Sequence, residues 1–177
     1  DIDIMKELSM NAYRFSLSWP RIMPEGNGQV NEKGLDFYDR MVDSLLERGI
    51  TPYITLFHWD LPYELYLKGG WLNPDMPEWF AEYTSAVMNR LSDRVDHWIT
   101  QNEPQCYIGS GMASGIHAPG LKMNKKDCLQ AAHNSLLAHG RSVQAIRAEA
   151  RKTPVIGYAP AAWWLWSPVS DDPADIE

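Results

Sequence analysis

The sequence predicts an α/β fold built on a parallel sheet. Three observations carry that expectation. Short runs rich in β-branched and aromatic residues alternate with amphipathic stretches of helical length. No two strand-like runs are joined by a tight turn, so crossovers rather than hairpins must link them. Polar residue types used in catalysis stand directly after the strand-like runs, where α/β folds collect their functional groups.

Residues 1–9 read as helix, and Asn11 turns the chain into a strand over 12–19 (Ala-Tyr-Arg-Phe-Ser-Leu-Ser-Trp), closed by Pro20. After a loop with Pro24, Gly26 and Gly28, Asn31 is a candidate N-cap for a helix over 32–48. The apolar stripe of that helix is Tyr38, Met41, Val42, Leu45 and Leu46, and Gly49 is its stop. Residues 50–57 form the second strand, and His58-Trp59-Asp60-Leu61-Pro62 sits at its end. A loop with Gly69-Gly70-Trp71 leads to a helix over 75–92 with Phe80, Tyr83, Val87, Met88 and Leu91 as its buried face. Val95 to Gln101 is the third strand, ending in Asn102-Glu103-Pro104. An irregular stretch over 105–124, a helix over 126–151 and a strand over 155–158 follow, then an aromatic loop around Trp163–Trp166. Four strands are half of a (β/α)₈ barrel or a small open sheet. A whole barrel needs about 250 residues. The first residues read as the middle of a helix and the last carry no stop signal, so a single incomplete TIM-barrel domain over 1–177 is expected.

Composition narrows the function. Of 177 residues, 16 are Lys or Arg and 23 are Asp or Glu, a formal net charge of −7, which argues against a nucleic-acid surface. No apolar run is long enough to span a bilayer, and the chain starts with nothing like a signal peptide. The two cysteines, Cys106 and Cys128, form no zinc spacing and cannot build a disulfide scaffold, which favours a reduced, cytoplasmic setting. The histidines include no HExxH, and His133 and His139 fall on different helix faces, so no metal site is expected. The sequence also lacks GxGxxG, GxxxxGK[ST] and GxSxG. With 8 Trp and 8 Tyr against 4 Phe, the aromatics either line a sugar-binding cleft or simply fill the core.

The strand ends bring an imidazole, an amide and a carboxylate to one rim: His58, Asn102 and Glu103. Pro104 should hold Glu103 on extended backbone. Alternation then points Asn102 and Glu103 apart unless the strand bends, for example at a bulge. An apolar rim favours the protonated form of a carboxyl, which can then act as an acid. The plainer alternative is a carboxylate that caps a helix or pairs with a loop arginine. His58 could bond a substrate hydroxyl, or could hold its own loop. Arg14 stands inside an apolar strand and should meet a carboxylate, structural or catalytic. Trp59 suits packing, and Asp60 suits organising its own turn.

Tyr13-Arg14-Phe15-Ser16-Leu17-Ser18-Trp19-Pro20-Arg21-Ile22, His58-Trp59-Asp60-Leu61-Pro62, Gly69-Gly70-Trp71 and Thr100-Gln101-Asn102-Glu103-Pro104, in this order and spacing, resemble glycoside hydrolase family 1, the β-glucosidase family. His117-Ala118-Pro119-Gly120 and Asp175-Ile176-Glu177 look like it too. The resemblance implies barrel strands two to five of a (β/α)₈ enzyme that hydrolyses β-glycosides with retention and without a cofactor. It implies that Glu103 is the acid/base, that Asn102 contacts the 2-hydroxyl and His58 the 3-hydroxyl of the sugar, and that Arg14 lies beside the nucleophile. Trp19 and Trp59 look like structural neighbours. The family's nucleophile lies in a Glu-Asn-Gly motif that this sequence does not contain. His58-Trp59-Asp60 and Asn102-Glu103-Pro104 lean toward unphosphorylated β-glucosides or oligosaccharides rather than 6-phospho-sugars. A non-hydrolytic sugar-binding barrel is the alternative of a different class, and the downstream Glu-Asn-Gly separates the two.

Overall fold

A computed structural model describes residues 1–161, 170 and 172. The sheet has four parallel strands in the order β1-β2-β3-β4: Ala12–Ser16, Thr51–Phe57, His97–Asn102 and Val155–Ala159. Register runs evenly from Ala12 opposite Thr51 to Ser16 opposite Thr55, then Tyr53 opposite His97 and Ile99 opposite Gly157. It shifts between Ile99 and Asn102, so that Asn102 faces Ala159. Among the described residues β1 and β4 are edge strands. The fold matches the parallel α/β expectation, and the loop around Trp163–Trp166 lies outside the described residues.

Among the described residues, six α-helices connect and cover the strands: α1 (Ile2–Glu7), α2 (Trp19–Ile22), α3 (Glu32–Glu47), α4 (Tyr63–Leu67), α5 (Met76–Leu91) and α6 (Lys125–Glu149). A 3₁₀ turn spans Gly70–Leu72 and a π-helix spans Gln105–Ala113. No described helix is long and apolar enough to cross a membrane.

The first strand is shorter than predicted. Trp19-Pro20-Arg21-Ile22 leaves the sheet as a helical turn, because Pro20 suits the first helical positions and cannot donate to a strand ladder. Asn31 does cap α3 by position, but its amide donates to the Arg21 carbonyl instead of accepting from the first turn. On α3 the stripe is buried at Tyr38, Val42 and Leu45, whereas Leu46 lies at its exposed margin. The segment over 105–124, expected to be irregular, begins with the π-helix; its glycines mask any apolar period.

The core lies between the sheet and α3, α5 and α6. Trp19 is fully buried, stacked on Tyr83 with ring centroids 5.0 Å apart, and donates from Nε1 to the Gly26 carbonyl at 3.0 Å. The α5–α6 seam holds a buried hydroxyl pair, Thr84 and Ser142, 2.9 Å apart. Helical spacing puts Glu32, Asp36, Asp39 and Asp43 on one side of α3, opposite Arg90 and Arg94 of α5, and they form an ion-pair ladder.

Candidate active site

The C-terminal end of β3 carries the centre of the site. Residues Gln101 and Asn102 diverge there. Gln101 is fully buried toward α6, where it donates to the Ser135 carbonyl and accepts from the hydroxyls of Ser135 and Tyr107 at 2.9 and 3.3 Å. This triangle anchors the strand end from the helix side.

Asn102 turns to the other face, toward Arg14 of β1. Arg14 donates from Nη2 to Asn102 Oδ1 at 2.5 Å and from Nε to the Thr55 hydroxyl at 3.0 Å. A guanidinium only donates, so the amide oxygen must face Arg14 and the NH₂ must face away from it. That NH₂ meets Glu103 Oε2 at 3.1 Å and His58 Nε2 at 3.3 Å. Its two hydrogens thus have two acceptors, with the His58 proton on Nδ1. Burial lowers the pKa of His58, and the Arg14 cation lowers it further, which favours the neutral ring. Arg14, Asn102, His58 and Glu103 therefore come together as expected. Among the described residues the side-chain partners of Arg14 are an amide and a hydroxyl.

The backbone at Glu103 is also different. Its φ is +44°, left-handed rather than extended. The local steric effect of Pro104 is outvoted by two bonds: Glu103 N–H donates to Ala159 of β4, and its carbonyl accepts from Cys106 N–H, both at 2.8 Å. This bend, with the register shift beside it, lets the Asn102 and Glu103 side chains meet despite strand alternation. Trp59 is left-handed too, at φ +83°. Its indole N–H donates to the Asn102 carbonyl at 2.8 Å, and its ring lies tilted against His58 and His117. Two non-glycine residues in this region of backbone space at one site are strain held by the surrounding fold.

Burial pushes the Asp60 carboxyl up, opposed by the Ser18 hydroxyl, and its Oδ1 is buried without a hydrogen-bond partner. A cavity of about 470 Å³ opens beside the site, walled by Trp59, Trp71, Tyr66, Tyr107 and Leu121. It holds none of Glu103, Asn102 and His58, so it is distinct from the polar cluster. Among the described residues no group of three or more His, Cys, Asp or Glu could hold a metal ion. Sequence reasoning missed two participants, Thr55 and Cys106. Thr55 could have been found from its place opposite Ser16, next to Arg14 across the ladder; Cys106 could have been found three residues after Glu103, one turn on.

Comparison with known proteins shows the family and the fold. Residues 1–177 match the profile of Glycosyl hydrolase family 1. A 1,4-beta-D-glucan glucohydrolase of Thermotoga neapolitana is 53% identical over 147 residues, covering 83% of this chain and 34% of that protein. Beta-glucosidase A of Acetivibrio thermocellus is 48% identical over 177 residues, covering 100% of this chain and 39% of that protein. The structure of a β-glucosidase from Thermotoga maritima in complex with deoxynojirimycin superposes with a TM-score of 0.90 at 47% identity, covering 99% of this chain and 39% of that one. The chain thus spans between a third and two-fifths of the length of these relatives, and it belongs to glycosyl hydrolase family 1.

Proposed function

We infer that this chain is the acid/base portion of a retaining β-glucosidase that removes terminal β-D-glucosyl residues from β-glucosides or oligosaccharides. Its 177 residues then form one incomplete (β/α)₈ catalytic domain. The observation that carries the reading is the paired presentation of Asn102 and Glu103 at a strand end, with Arg14 and His58 converging on the same amide. Glycoside hydrolysis with retention uses two carboxyls about 5–5.5 Å apart, one as acid/base and one as nucleophile. In this reading Glu103 protonates the departing glycosidic oxygen, then takes a proton from the water that attacks the glycosyl-enzyme. The nucleophile lies outside this chain, on the side of the sheet toward which Arg14 projects its charge. Asn102 bonds the 2-hydroxyl and a neutral His58 the 3-hydroxyl, with no cofactor.

The test is Glu103→Gln in the protein at the full length of its relatives. The amide keeps the shape and removes the titratable proton. Cellobiose, whose leaving oxygen needs protonation, should suffer most in the first step. Aryl glucosides with good leaving groups should still form the glycosyl-enzyme and stall there. Azide, which needs no base, should restore that second step and yield a β-glycosyl azide. Wild-type hydrolysis of cellobiose by this variant would make Glu103 a structural carboxylate.

A further inference from the structure

The carboxyl of Glu103 has two unlike oxygens. Oε2 accepts from the Asn102 amide at 3.1 Å and lies 3.7 Å from the Cys106 thiol, within hydrogen-bond range for sulfur. Neither group bonds Oε1. Cys106 stands at the start of the π-helix, and its own N–H donates to the Glu103 carbonyl at 2.8 Å. The residue is thus tied to Glu103 through both backbone and side chain, and it is only 9% exposed. A thiol donates only while it keeps its proton. Burial pushes the Cys106 thiol up, and the negative charge of Glu103 pushes it the same way. It therefore stays S–H across the range in which a glycosidase works.

We propose that Cys106 is a positioning residue for the acid/base carboxyl: with Asn102 it makes Oε2 a fixed acceptor and leaves Oε1 as the oxygen that carries and delivers the proton. The proposal rests on the acid/base reading of Glu103. An oxygen that already accepts two donors has no lone pair aimed freely at solvent, so the proton resides on the other oxygen. The same two donors favour the carboxylate once the proton has left, which eases its transfer to the leaving group. Among the described residues, the titratable groups around Glu103 are Arg14 from β1, His58 from the end of β2 and Cys106 itself; β4 contributes the Ala159 carbonyl. Arg14 reaches Glu103 only through the Asn102 amide, and His58 shares that amide's second hydrogen. Cys106 is thus the donor to Oε2 whose removal leaves the Arg14–Asn102–His58 cluster bonded as before.

The experiment uses the protein at the full length of its relatives. Cys106→Val removes the donor and keeps an apolar side chain of similar bulk; Cys106→Ala removes it without adding bulk where valine crowds the turn. In either variant the alkaline limb of the kcat/KM profile for cellobiose should move up by about half to one pH unit, because the carboxyl gives up its proton less readily. The kcat on cellobiose should fall roughly threefold to tenfold with KM little changed. Formation of the glycosyl-enzyme from a dinitrophenyl glucoside should be unaffected, and Cys106→Ser should restore the limb in part. A purely structural role would lower activity or heat resistance without moving the limb. If Glu103→Gln behaves as an acid/base variant and both Cys106 variants keep the wild-type limb, the positioning role is refuted alone. If Glu103→Gln hydrolyses cellobiose normally, the reading beneath it falls as well.

Discussion

Trp19, which the family resemblance makes a structural neighbour of the site, offers the sharpest separation of packing from substrate contact. Its side chain is fully buried between Tyr83, Phe80 and Phe57, with ring centroids at 5.0, 5.4 and 6.3 Å, and its indole N–H satisfies the Gly26 carbonyl. Trp19→Phe keeps an aromatic ring in that stack and deletes the pyrrole portion. Roughly 40 Å³ is lost, which at about 24 cal/mol per Å³ of residual cavity costs about 1 kcal/mol. The stranded Gly26 carbonyl adds about 1–3 kcal/mol. The sum is a loss of about 2–4 kcal/mol in unfolding free energy. With an m-value in urea of about 1–3 kcal/mol/M, the midpoint falls by roughly 0.7–4 M, near 1.5 M at the middle of both ranges. The measurement is urea unfolding followed by tryptophan fluorescence and far-UV dichroism, paired with kcat/KM on an aryl β-glucoside well below the transition. Activity should stay within about threefold, since none of the contacts of Trp19 reaches Glu103. A loss under 1 kcal/mol, or a tenfold rise in KM at unchanged stability, would refute the packing argument and place the ring against the sugar.

Two further outcomes follow from the same structure. His139 contacts the Thr100 hydroxyl through Nδ1 at 2.8 Å, and burial lowers its pKa. A histidine lowered in the folded state contributes stability above its unfolded value, near 6.5, and loses it as pH falls through that value; His139→Gln should therefore shrink the stability difference between pH 7.5 and 5.5, and an unchanged difference would exonerate it. The isolated 177 residues should not turn over an aryl β-glucoside, because the reading supplies one of the two carboxyls and both sheet edges are open among the described residues; turnover comparable with a full-length relative would overturn it.

Much of the fold is legible because periodicity is local. The apolar spacing in α3 and α5 and the β-branched and aromatic run of β2 set those elements to within a residue or two. The site residues were legible for a different reason: His58, Asn102 and Glu103 stand where strands stop. Their connections were not. Arg14 finds Thr55 through register and Asn102 from two strands away, and neither pairing leaves a mark in the sequence near Arg14. Extended geometry at Glu103 follows from Pro104 alone, but Ala159, 56 positions later, supplies the bond that turns the backbone over. Helix at Trp19 was hidden because Trp19 continues the alternating strand pattern that runs up to Pro20.

The left-handed backbone at Glu103 and Trp59 bears on how the protein would respond to selection in the laboratory. An L-residue in that conformation carries about 1–2 kcal/mol of steric cost that glycine does not, while glycine gives back about 0.5–1 kcal/mol in chain entropy. Glycine at Glu103 is thus neutral to stabilising for the backbone, whereas at Trp59 it would forfeit the indole's bond to the Asn102 carbonyl and its packing against the core. A library screened only for surviving heat would enrich Glu103→Gly and, on the acid/base reading, lose the acid in the same step. A library screened for turnover would keep both strained residues and find its heat resistance elsewhere, in α3, α5 and the loops. Glu103 is therefore a marker: on the acid/base reading, a thermostable variant that retains it was selected for turnover, and one that has relaxed it to glycine was selected for the fold alone.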